Sequence, residues 1–231
     1  AVQKLKGKDP VILDRSDAYI GVLIDDIVTK STAEPYRMMT SRAEYRLLLR
    51  HDNADLRLRE YGYKVGLITD MQHDAILKKK EDISNCIEMF KGFKVSPTKE
   101  LNAALANINS SVLNNGTTLF DLIKRPEVTA SFIKENFDFD YPLYIVKQVE
   151  IEIKYEGYIK KAFKEAEKLI SNELRKIPAD IDYDNIPNIA LEAREKLKEI
   201  RPLTIGQASR ISGVNPADIA ILSVYIKGGA R

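Results

Sequence analysis

The sequence predicts a mainly α fold, a multi-helix assembly with little sheet. Three observations predict it. Long stretches carry apolar residues at helical period, strand-like alternation is scarce, and capping and breaking signals bracket the periodic stretches.

Taken in order, Ser16 or Asp17 is placed to cap a short helix whose apolar members are Ile20, Leu23, Ile24 and Ile27. Residues 31–36 read as a loop, with Pro35 restricting the residue before it. Ser41 and Glu44 form an S-x-x-E capping box that would start a helix, while Tyr45-Arg46-Leu47-Leu48-Leu49 fits a buried strand as well. Asn53 is placed to cap a helix carrying Leu56, Leu58 and Tyr61, ending near Gly62. Met71, Ala75, Ile76, Ile83, Ile87 and Phe90 define a helix from Asp70 to about Phe90. Pro97 to Ile108 reads as a helix with proline in its first turn, and Asn114-Asn115-Gly116 as a turn. Thr118–Ile123 and Thr129–Lys134 are short helices separated by Pro126, and Asp138–Pro142 is a linker. The longest element runs from about Leu143 to Lys176 on Val146, Val149, Ile153, Tyr158, Ile159, Ala162, Ala166, Leu169, Ile170 and Leu174, and Pro178 ends it. Ile186–Ile200 and Ile205–Lys227 complete a helical C-terminal half.

Composition narrows the function classes. The chain has 231 residues, 44% apolar and 30% charged, an ordinary globular balance. A net charge of +2 means that any basic patch is local and needs a local reason. One cysteine, Cys86, excludes an internal disulfide framework and a cysteine-rich zinc site, and two histidines, His51 and His73, leave little for a histidine metal centre. No apolar run approaches about 18 residues, so no membrane span is expected, and a reducing cytoplasmic setting fits best. The chain starts without Met at Ala1-Val2-Gln3-Lys4-Leu5 and is read as a fragment.

Three stretches carry recognition chemistry. Arg42, Arg46 and Arg50, with Arg37 upstream, would stack guanidinium groups on one face if 42–50 were helical, a phosphate grip. Six arginines outnumber three acids between residues 37 and 59, although Glu44 and Asp52 also suit a solvated, salted face. Lys154-Tyr155-Glu156-Gly157-Tyr158-Ile159-Lys160-Lys161 interleaves charge for phosphates with rings for bases. Gly157 in a helix interior suggests close approach by a backbone or ligand, or a tight helix crossing with both tyrosines in the core. The tail from Thr204 to Ile219 has helix-turn-helix form, with Gly213 in the turn and Pro216 at the start of the second helix. Ala217, Asp218, Ala220 and Ile221 would occupy that helix's early turns. None reads a base edge well, so protein docking or bundle packing suits it better than DNA.

Catalytic candidates are poor. Asp25 and Asp26 diverge by about 100° on a helix and do not make a carboxylate pair. Cys86 lies among apolar residues and reads as core, and no glycine-rich phosphate loop is present.

Leu13 to Asp26, Pro35 to Arg50, Val149 to Ile159 and Ile205 to Val214 together resemble, in the same order, the C-terminal part of the MnmG family, also called GidA. The resemblance implies part of an FAD enzyme that modifies C5 of the wobble uridine of certain tRNAs, using NADH and methylene-tetrahydrofolate, in complex with the GTPase MnmE and as a homodimer. It places the flavin-binding glycines and functional cysteines upstream, so no cofactor and no catalytic residue is expected in this chain. It implies that residues 1–55 end the flavin domain, 56–140 form a helical linking part, and 141–231 form a helical domain for tRNA and partner. On that basis Arg42, Arg46, Arg50, Lys154, Tyr155, Tyr158, Lys160, Lys161 and Arg210 are expected at tRNA, and Ile205, Ile211, Val214, Ile219, Leu222 and Tyr225 at the GTPase. A DNA-binding regulator and a purely structural helical module are the alternatives.

Overall fold

A computed structural model describes residues 2–29, 35–173 and 175–228, the side chains at 165, 166 and 168–173 excepted. The described elements are α1 (Val2–Leu5), α2 (Tyr19–Thr29), α3 (Ala54–Lys64), α4 (Asp70–Gly92), β1 (Lys94–Val95), α5 (Lys99–Asn107), β2 (Thr117–Thr118), α6 (Leu119–Ile123), α7 (Ala130–Asn136), α8 (Leu143–Lys154), α9 (Glu156–Glu173), α10 (Leu191–Ile200), α11 (Ile205–Ser209) and α12 (Pro216–Gly228). The fold is mainly α, as expected. Most of the loop expected at 31–36 lies outside the described residues, as do Leu174 and the side chains of Ala166, Leu169 and Ile170.

Two compact units form. The first holds Ala1–Val11 and Arg50–Lys160, the second Ile12–Leu49 and Lys161–Arg231.

In the first unit, α4 is fixed at its start by a capping box. Thr69 Oγ1 accepts from the Gln72 amide at 3.4 Å, and the Thr69 amide donates to Gln72 Oε1 at 3.1 Å. Its Ile83, Cys86 and Phe90 enter the core with Leu101 and Leu105 of α5, α6, α7, and Ile145, Val146, Val149 and Ile153 of α8. Met71, expected on that face, is 82% exposed. The short helices are started by threonines. Thr98, Thr118 and Thr129 accept from the amides of Leu101, Asp121 and Phe132 at 3.1, 3.1 and 3.2 Å. Pro97 therefore precedes the cap of α5 and is not in its first turn. β1 and β2 make one antiparallel pair, Lys94 opposite Thr118 and Val95 opposite Thr117. The single long helix expected from Leu143 to Lys176 is two. Tyr155 (φ −101°, ψ 7°) leaves the helical path and separates α8 from α9.

The second unit closes its core with Tyr183, Ile186, Ala193, Leu197, Ile205, Ala208, Ile211 and Leu222. The turn before α12 uses Gly213 at φ +93°, a conformation that disfavours side chains. Asn215 Oδ1 then accepts from the Ala217 and Asp218 amides at 2.9 and 3.1 Å.

Residues 42–50 are neither helix nor strand. A 3-10 turn over Thr40–Arg42 is followed by turns in which Leu48 and Leu49 both donate to the Tyr45 carbonyl, at 2.7 and 3.0 Å. Ala43, Tyr45, Leu48 and Leu49 are buried. Burying four residues at this irregular spacing needs a folded-back segment, and that requirement overrides the capping box.

Candidate nucleic-acid interface

The irregular arginine segment is organised by a side chain that local sequence reasoning left out, Arg15, which is 6% exposed. Its Nη1 donates to Asp26 Oδ1 at 2.7 Å, Asp25 Oδ2 at 3.0 Å and the Val22 carbonyl at 3.3 Å. Its Nη2 donates to Glu44 Oε1 at 2.8 Å and the Arg42 carbonyl at 3.1 Å, and Nε to Glu44 Oε2 at 3.2 Å. Tyr36 donates to Asp26 Oδ2 at 2.7 Å. Burial alone would lower the Arg15 pKa, but hydrogen bonds and charge from Glu44 and Asp26 outweigh it and hold the pKa above its ordinary value. Tyr36 is pushed up by burial and by Asp26. The adjacent aspartates, expected to point apart on a helix, both reach Arg15 Nη1, which brings their carboxylates together around one cation.

The residues expected at tRNA fall into three groups. Some are committed inside the fold. Arg210 grips Asp25 through Nε at 2.8 Å and Nη2 at 3.0 Å, with both side chains 14% exposed. Arg50 pairs with Asp52 at 3.1 Å and Glu152 at 3.4 Å. Burial would raise the Asp52 carboxyl, but the Arg50 guanidinium outweighs it and holds the group below the ordinary range. Lys154 Nζ donates to Glu150 and the Val128 carbonyl, each at 2.8 Å, and to the Pro126 carbonyl at 3.2 Å.

Arg42 is intermediate. It is half-buried, its guanidinium lies 4.7 Å from the Tyr36 ring centre, and its Nε is buried with no hydrogen-bond partner.

The rest face solvent. Arg46 is exposed, as is Arg37. Tyr155 and Tyr158 are 48% and 66% exposed, their ring centres 6.4 Å apart. Lys160 is exposed and bonds Glu156 at 2.6 Å, and Lys161 is exposed. Gly157 has no atom within 4 Å of where a Cβ would sit, so neither a close approach nor a tight crossing explains it, and the tyrosines are not core.

The expected docking residues divide similarly. Ile205, Ile211 and Leu222 are sealed in the core, and Val214, Ile219 and Tyr225 are half-buried. Asp218, read as an acid on a docking helix, is buried and accepts from the Ala190 and Asn215 amides at 3.0 and 3.1 Å. Beside α12 lies an open groove of about 680 Å³, lined in part by Pro187, Ile221, Val224 and Tyr225. No basic side chain occupies the first turns of α12; Lys227 stands in its last turn.

Two family models match this chain. The tRNA modifying enzyme MnmG/GidA C-terminal helical domain covers residues 70–162, and the MnmG/GidA C-terminal helical bundle covers 165–231. The chain belongs to the MnmG/GidA family. It is 54% identical over 231 residues to the tRNA uridine 5-carboxymethylaminomethyl modification enzyme MnmG of Geobacillus thermodenitrificans, covering 99% of this chain and 37% of that protein. It is 51% identical over 224 residues to MnmG of Acholeplasma laidlawii, covering 97% of this chain and 36% of that protein. GidA of Aquifex aeolicus in its form II crystal superposes with a TM-score of 0.79 at 41% identity, over 98% of this chain and 35% of that one. The chain therefore spans about a third of the length of the MnmG relatives it matches, as the C-terminal helical portion.

Among the described residues, the space at one glycine at a helix start bears on whether a flavin phosphate could be held. Gly21 lies in the first turn of α2, but a Cβ there would meet the Asp14 carbonyl oxygen at 2.2 Å and that of Leu13 at 2.5 Å, so the site does not admit a phosphate. This chain's own backbone fills the space. Cys86 is fully buried, and burial pushes its pKa up to about 12, which suits a core residue and not a nucleophile.

Proposed function

We propose that this chain is the tRNA-holding and partner-docking portion of an FAD-dependent enzyme that modifies C5 of the tRNA wobble uridine, and that the chemistry is done by the part of the polypeptide that the relatives carry and this chain lacks. FAD, NADH and methylene-tetrahydrofolate belong to that part, in a cytoplasmic homodimer working with the GTPase MnmE.

The observation that carries the reading is the pair of tilted, solvent-facing tyrosines at the break between α8 and α9, followed at once by Lys160 and Lys161. A ring left in water at a helix break can stack an unpaired base, and exposed ammonium groups beside it can take backbone phosphates. Tyr155, Tyr158, Lys160 and Lys161 form the tRNA set, and Arg46 is a separate phosphate ligand. Arg50, Lys154 and Arg210 support the fold, and Arg42 orders the segment that presents Arg46. On the partner side, the groove at Ile221, Val224 and Tyr225 is the GTPase-facing surface.

The test is tRNA binding across a salt series. Charge reversal at Lys160 and Lys161 should weaken binding and make the negative slope of log K against log salt shallower by roughly one to two, about 0.7–0.9 for each phosphate no longer neutralised. Unchanged affinity and slope would remove both lysines. Deleting residues 205–231 is a poor test of docking, because it also removes Ile205, Ile211 and Leu222 from the core. Val224→Asp is the better variant, read by co-elution with the GTPase.

A further inference from the structure

Within the first unit, lysines from three elements gather around one carboxylate. Lys91 stands in the last turn of α4, and Lys124 directly follows α6. Both lie against the half-buried Phe120 ring, their ammonium nitrogens 5.7 and 4.1 Å from its centre. Lys160 of α9 donates to Glu156 Oε1 at 2.6 Å. That hydrogen bond holds the Glu156 carboxyl below its ordinary range. Burial opposes it, and the charges of Lys160, Lys124 and Lys91 reinforce it. Local pairing explains only part of this. Glu88 takes Lys91 at 2.7 Å and Asp121 takes Lys124 at 3.1 Å. It does not explain why ammonium groups from two separate segments share one ring and act on a carboxylate of a third. Lys91, Lys124 and Lys160 are 48%, 44% and 71% exposed, and exposed ion pairs of this kind are weak and screened by salt.

We propose that the Glu156 carboxylate stands in for a phosphate, and that the sugar-phosphate backbone of the tRNA passes from the Tyr155 and Tyr158 rings across Lys160, Lys124 and Lys91. This rests on the reading of the two tyrosines as a base platform, and it adds Lys91, Phe120, Lys124 and Glu156 to that site. Charge and number select the occupant. Each lysine already has a carboxylate, so a single small anion gains little by exchanging with one of them. Linked phosphates displace several carboxylates in turn, each at the high effective concentration that linkage gives. Displacing weak, exposed pairs is easy for a polyanion, and the released lysines then neutralise its phosphates. Phe120 meanwhile keeps the stems of Lys91 and Lys124 side by side at the surface. Glu156 is thus a negative determinant. It neutralises the strip until a chain of phosphates arrives and so discriminates against isolated anions.

The test is binding of an unmodified tRNA transcript, over a salt series, by the natural full-length gene product. Lys91→Gln with Lys124→Gln keeps the stems on Phe120 and removes both charges. The double variant should bind about tenfold more weakly at roughly 0.1 M salt, with the negative slope of log K against log salt shallower by roughly one to two. Glu156→Gln should bind about threefold more tightly, with a steeper slope, a gain that a misfolded protein would not show. Parent-like binding by the double variant, where charge reversal at Lys160 and Lys161 still weakens it, would overturn the proposal and leave the tRNA reading standing. If neither pair of lysines mattered, the tRNA reading itself would fall. Weaker binding by Glu156→Gln would also overturn the proposal, because the carboxylate would then be ordering the lysines. Unchanged tRNA affinity with lost co-elution of the GTPase would assign the strip to the protein partner instead.

Discussion

Arg15 and Asp26 sit 2.7 Å apart, 6% and 0% exposed, with the guanidinium shared among Asp26, Asp25 and Glu44. An ion pair this deep is not strong evidence of net stabilisation, since desolvating both charges offsets much of their attraction. Removing one partner is another matter. Arg15→Met leaves the buried Asp26 carboxylate without its cation, with the Tyr36 hydroxyl still donating to it, and should destabilise the second unit by about 3 kcal/mol, measured by urea unfolding. Replacing Arg15 and Asp26 together by apolar residues should recover a large part of that loss; full additivity of the two single losses would show that the pair is not coupled.

Two glycines should respond with opposite sign to the same change. Gly21→Ala drives a methyl into the backbone oxygens of Asp14 and Leu13 and should cost about 1–3 kcal/mol or more. Gly157→Ala meets open space in a helix and should stabilise by about 0.5–1 kcal/mol. Thermal melts of the two variants would settle both signs.

Lys154 and Lys160 look interchangeable in the sequence and should behave differently. Lys154→Ala removes the donor to Glu150 and to the carbonyls of Val128 and Pro126, and should cost about 1–3 kcal/mol in stability. Lys160→Ala breaks an exposed pair with Glu156, which should change stability by less than about 0.5 kcal/mol while weakening tRNA binding. Denaturation and a binding isotherm on the same two variants give the comparison.

Leu222 and Val224 should separate packing from docking. Leu222 is fully buried and Leu222→Ala should cost about 2–5 kcal/mol. Val224 is 70% exposed, and Val224→Ala should leave the melting temperature nearly unchanged while weakening capture by the GTPase.

The Arg50–Asp52 pair gives a pH dependence with a fixed sign. The Asp52 pKa is depressed in the folded state, so its contribution is fully present above the unfolded value, about 4, and is lost as pH falls through the folded one. Asp52→Asn should therefore be less stable than the parent at about pH 7, and the gap should close on acidification. A gap that widened in acid would contradict the assignment.

Much of the helical order was legible because its determinants are local. The threonines that start α6 and α7 and the apolar period of α4 act within a few residues, so sequence alone carries them. The misreadings share a different cause. Whether Ile24, which is 54% exposed, faces inward depends on Asp25 and Asp26 finding Arg15 and Arg210, which no window around α2 contains. Whether 42–50 is a helix depends on burying Ala43, Tyr45, Leu48 and Leu49 together. Lys154 and Lys160 differ only in what folds beside them. The break at Tyr155 is the hardest case, since the residues around it are compatible with a continuous helix.

The second unit is assembled from segments far apart in the chain: Asp25 and Arg210, which grip each other, are 185 residues apart. At synthesis rates of about 5–20 residues per second, Asp25 waits roughly ten to forty seconds for its arginine to be made. The first unit's main segment, residues 50–160, is contiguous and can condense during that delay. The nascent segment 12–49 can already pair Arg15 with Asp26 and Glu44, but Asp25 waits for Arg210. Misfolding and chaperone capture should concentrate there, so a lesion at Arg210 would first show as lost soluble yield, before any effect on RNA.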